Sequence, residues 1–118
     1  DGDAGVIFPS RILNALAESL LPRGRLGLLI PLPEQSNKLV AKWQRSGVEV
    51  VAEALRPSAD EAETRNAAER LAHLTPDLVA MDCMSYTPYS KAIVSATVGV
   101  PTLLAITATG RVIRELLE

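Results

Sequence analysis

The sequence predicts an α/β domain, a four-stranded parallel β-sheet with helices on both faces. Three observations carry that prediction. Apolar runs of strand length alternate with stretches whose apolar residues recur at helical spacing. The first such run, Arg25 to Leu32, lacks polar alternation, as a strand covered on both faces should. Proline or glycine punctuates most of the junctions.

Phe8-Pro9-Ser10-Arg11 opens the first helix, because proline is tolerated at an early helical position. Leu13, Leu16, Ala17 and Leu20 then share one face, and Pro22-Arg23-Gly24 ends it. Arg25 to Leu32 is the central strand. Pro33-Glu34-Gln35-Ser36 starts a second helix whose Ser36, Leu39, Val40 and Trp43 form a stripe, and Gly47 supplies its stop. Val48 to Ala54 alternates in part, with Glu49 and Glu53 on one side, which suits an edge strand with a wet face.

Ser58-Ala59-Asp60-Glu61 has capping-box spacing, and the third helix is expected to run from there to about Leu74. Pro76 breaks the pattern, and Leu78-Val79-Ala80-Met81 forms a third buried strand that delivers Asp82 and Cys83 to its carboxyl end. Thr87-Pro88 starts a fourth helix, with Tyr89, Ala92, Ile93 and Ala96 on one face and Gly99 at its close. A fourth strand, Thr102 to Ile106, and a last helix, Thr107 to Glu118, complete the chain.

Right-handed crossovers and the wet second strand favour the flavodoxin-like order 2-1-3-4, with a switch point between strands one and three. The fourth strand is then an edge without the charges that usually protect one. Something else is expected to cover it, a missing lobe or the homodimer partner.

The chain has 118 residues, 47% of them hydrophobic and 22% charged, enough for one domain to bury a core without disulfides or metals. Twelve basic and fourteen acidic side chains are scattered, which argues against nucleic acid as a partner. The lone cysteine cannot form an internal disulfide, and the longest apolar runs are far below the ~20 residues of a membrane helix. A cytoplasmic location with no membrane partner is the expectation. Walker, dinucleotide-binding and nucleophile-elbow patterns are lacking, so no cofactor is expected.

Cys83 is the leading chemical position. It precedes a helix N-terminus, whose amides and dipole favour negative charge on a thiolate or on a bound carboxylate. Ser85, Tyr86 and Thr87 add hydroxyls beside it and are the candidate ligand-binding residues, with Arg11. A free cysteine also packs readily in a core, and both roles stay open for Cys83. Pro31 to Ser36, Arg56 to Ser58 and Thr107 to Arg111 rim the same end of the sheet. His73, without a second histidine, suits a helix C-terminus better than a metal. Asp60, Glu61 and Glu63 suit a first helical turn, and Trp43 suits packing.

At Phe8-Pro9-Ser10-Arg11, Leu26 to Glu34, Lys42-Trp43-Gln44 and Asp82-Cys83-Met84-Ser85-Tyr86, the chain resembles the AroM protein family over nearly its whole length. That resemblance implies the C-terminal half of a two-lobe protein, and a start at Asp1 instead of Met fits a fragment. The family has no established activity but is similar to the aspartate/glutamate racemase superfamily, whose two lobes each present a thiol after a strand. The resemblance therefore implies that Cys83 is an acid/base acting on a small carboxylate, as one of a pair of thiols. Ser85 stands where glycine is expected in the family motif. A non-catalytic protein that binds a small anion, or a regulatory one, is the alternative.

Overall fold

The computed structural model describes residues 8–117. The element order is α1 (Pro9–Leu20), β1 (Gly24–Ile30), a 3-10 turn (Pro33–Gln35), α2 (Ser36–Trp43), β2 (Val48–Ala54), α3 (Glu61–His73), β3 (Leu78–Met81), α4 (Pro88–Val98), β4 (Thr102–Leu104) and α5 (Ala105–Leu117). All four strands are parallel and lie in the order β2-β1-β3-β4, as expected. Leu28 of β1 pairs in register with Ala52 of β2 and Ala80 of β3, so the longest apolar run lies at the centre of the sheet.

The period-two geometry of β1 divides the core in two. Leu26, Leu28 and Ile30 face one layer, packed with Leu13 and Ala17 of α1, Trp43 of α2 and Ala105 of α5. Leu29 faces the other, with Ala67, Ala68 and Leu71 of α3 and Val94 of α4. Between them Gly27 allows α3 to close on the strand: a Cβ there would lie 3.0 Å from Pro76 Cβ and 3.1 Å from Leu71 Cδ1. On the wet side of β2, Glu49 pairs with Arg25 at 2.6 Å and Glu53 with Arg70 at 2.9 Å.

Several boundaries differ from the sequence expectation, each for a local reason. Leu20 is 59% exposed, while Leu21 enters the core as the helix ends and its N–H closes on the Ala17 carbonyl. α2 stops at Trp43, before Gly47. Arg45 turns back to hydrogen-bond the Leu21 carbonyl at the end of α1, and Gln44 Nε2 donates to the Val48 carbonyl at 2.5 Å. Gly47, at φ +82°, forms the turn into β2. The cap of α3 is Asp60, whose carboxylate accepts from the Glu63 amide at 2.8 Å, and not Ser58. Ser58 follows Pro57 in a turn closed by the Ala59 amide on the Arg56 carbonyl. β4 ends at Leu104 because α5 begins directly at Ala105, and Ile106 is a helical residue. Glu118, the expected end of the last helix, lies outside the described residues.

Candidate active site

The carboxyl ends of the strands converge where β1 and β3 are neighbours but their connections leave to opposite layers, the usual ligand crevice of an open α/β sheet. The Asp82 amide donates to the Leu29 carbonyl at 3.0 Å, extending the β1–β3 ladder one residue beyond β3. The chain then folds tightly, with the Tyr86 amide donating to the Cys83 carbonyl at 3.3 Å. Cys83, Met84 and Ser85 thus form the rim.

Two long-range hydrogen bonds hold this rim from opposite layers. Trp43, 1% exposed in the α1/α2/α5 core, donates its indole N–H to the Asp82 carboxylate at 3.0 Å. Tyr86, 2% exposed in the α3/α4 core, donates its hydroxyl to the Leu55 carbonyl just beyond β2 at 2.7 Å. Burial first, then the neighbouring Cys83 and Asp82, pushes the Tyr86 phenol well above its ordinary range, so it stays a protonated donor.

Among the residues expected to act, Cys83 is half-buried against the α3/α4 core and Ser85 is exposed beside it. Tyr86 is in the same segment, but its hydroxyl points into the fold. Thr87 is the N-cap of α4: its hydroxyl accepts from the Ser90 amide at 3.1 Å, and the Ser90 hydroxyl accepts from the Thr87 amide at 3.1 Å. With Pro88 lacking an N–H, this box takes up donors that the sequence reading assigned to an anion. The backbone amides of Met84 and Ser85, by contrast, have no protein acceptor among the described residues. Periodicity gives no signal for such free amides.

Arg11 stands on a different wall. Its guanidinium lies 4.6 Å from the centre of the Phe8 ring, and it lines a groove between α1 and α2 with Asn14, Glu18 and Lys42. Arg56 is held by Glu63 through two hydrogen bonds of 3.1 and 2.5 Å, which raise its pKa further. Both line a cleft of about 260 Å³ that runs from Pro31 and Pro33 past Leu55 to Arg70. Leu55 is the link between that cleft and the Tyr86 anchor. His73 is exposed at the end of α3. Among the described residues no group of three or more His, Cys, Asp or Glu is arranged to hold a metal ion, and no helix is long and apolar enough to cross a membrane.

This sheet architecture has a counterpart among solved structures. Arylmalonate decarboxylase superposes with a TM-score of 0.64 at 16% identity, over 86% of this chain and 48% of that one. At this identity the likeness shows a shared fold. This chain spans about half the length of that protein. No curated protein sequence matches it. The AroM protein profile matches residues 2–117, and the chain belongs to the AroM protein family.

Proposed function

We propose that this chain is the C-terminal lobe of a cofactor-independent racemase-like enzyme of the cytoplasm, in which Cys83 moves a proton at the carbon next to a carboxylate. The observation that carries the reading is the position of Cys83. The thiol sits at the switch point beside the unpaired amides of Met84 and Ser85, on a segment fixed by the Trp43 and Tyr86 hydrogen bonds.

A Cys83 thiolate takes the proton from the α-carbon, and the C–H electron pair moves into the carboxylate as an enediolate. The amides of Met84 and Ser85, with the Ser85 hydroxyl, meet the charge growing on the carboxylate oxygens. An acid on the opposite face returns a proton to carbon, and in a two-lobe enzyme it belongs to the upstream half. Tyr86 and Thr87 act in this reading through the backbone, by shaping the segment, and Arg11 attracts the anion from the α1 side. The neighbour's substrate class, a malonate whose decarboxylation also leaves an enediolate to be protonated, is compatible with the same proton transfer.

The test is solvent exchange. Full-length protein in D₂O with small amino-acid and dicarboxylate substrates should place deuterium on the α-carbon, read by NMR, and Cys83→Ser should lower the rate at least about a hundredfold, the low end for a positioned acid or base. Dicarboxylate binding without exchange, unchanged in Cys83→Ser, would replace this reading with the non-catalytic anion-binding one.

A further inference from the structure

The open edge of β4 carries no charge of its own, yet two cations stand over it from the neighbouring helices. Lys91 of α4 and Arg111 of α5 border a crevice of about 170 Å³ floored by Leu16 of α1, Leu103 and Leu104 of β4, and Ala108 of α5. None of its lining residues is acidic. Elsewhere the arginines Arg25, Arg56, Arg65 and Arg70 each reach a carboxylate within 2.9 Å. Neither Lys91 nor Arg111 has an acidic partner among the described residues.

We propose that this crevice is a second binding site, for a small organic monoanion with an apolar body. The leucine and alanine floor offers contact to a hydrocarbon or ring, and the two cations, one from α4 and one from α5, meet the anionic head. The volume lies below the roughly 300 Å³ at which drug-sized pockets begin, so the ligand is small. Inorganic phosphate, all charge and no apolar surface, leaves the floor wet and binds less well. An uncharged analogue of the same shape leaves the cations unmatched. The walls come from α1, α4, β4 and α5, so the site does not depend on the Cys83 thiol.

Benzoate is a suitable probe, with benzamide and inorganic phosphate as controls, followed by amide NMR shifts of the whole chain. Benzoate should shift the signals of Leu103 to Ala108 and of residues around Lys91. Benzamide and phosphate should each bind at least about tenfold more weakly. Lys91→Met and Arg111→Leu should each weaken benzoate about tenfold, the scale of one charge-assisted hydrogen bond, and the double variant should abolish it. Cys83→Ser should leave it unchanged, which separates failure here from failure of the catalytic reading. The proposal is overturned if benzoate shifts no signal in this region of the wild-type protein, if benzamide binds equally well, or if the folded double variant keeps full affinity.

Discussion

Replacing Tyr86 by Phe removes one oxygen from a side chain that is 2% exposed and leaves the ring in place. The packing term is therefore small, and the cost lies in the hydrogen bond to the Leu55 carbonyl at 2.7 Å. Such a bond contributes about 1 kcal/mol net, and a buried acceptor left without its donor costs about 1–3 kcal/mol. The expected loss is about 1–2 kcal/mol, a fall of roughly 0.5–1.5 M in the urea midpoint for a domain of this size. Alkaline pH supplies a second readout. Burial raises the phenol's pKa in the folded protein, so the unfolded chain releases this proton first. The stabilisation is complete below the unfolded value near 10 and declines above it by about 1.4 kcal/mol per pH unit. Urea titrations from pH 8 to 11 should show this limb as a difference between wild type and Tyr86→Phe. A variant within about 0.3 kcal/mol of wild type, with an identical alkaline limb, would refute the claim that Tyr86 anchors the rim.

Trp43→Phe deletes the donor to Asp82, a bond to a charged acceptor of about 1.5–3 kcal/mol, and should also speed iodoacetamide alkylation of Cys83 severalfold as the rim loosens. Circular dichroism in urea and mass-spectrometric labelling check the two effects. Gly27→Ala forces a methyl to 3.0 Å from Pro76 and 3.1 Å from Leu71, and should cost about 1–3 kcal/mol of overpacking in the same urea assay.

Much of the fold was legible because hydrophobic period and turn residues act locally. The unbroken apolar run around Leu28 located the central strand, and Glu49 and Glu53 marked the wet edge. What escaped depends on contacts distant in sequence. Leu20 and Leu21 are equally apolar, and only the break after α1 decides which is buried. Ser58 and Asp60 both suit a cap, and the turn after Pro57 selects Asp60. α2 ends early because Arg45 reaches the end of α1, 24 residues back along the chain.

The site divides in the same way. Cys83 and its neighbours could be singled out because a strand, a polar run and a Thr-Pro helix start follow one another. The partners that hold them, Trp43 and Leu55, lie 39 and 31 residues from Asp82 and Tyr86, and their pairing is a property of the folded sheet. Tyr86 resembles a ligand-binding tyrosine in sequence, but its hydroxyl is bonded to a carbonyl of the fold.

The two attachments of the rim behave like the pans of a balance. One hangs from the layer of α1, α2 and α5, and the other from the end of β2 beneath the layer of α3 and α4. Because one attachment comes from each side of the sheet, the segment between them is held by both layers at once. The position of the segment that carries Cys83 is thus tied to how the two halves of the core sit on the sheet.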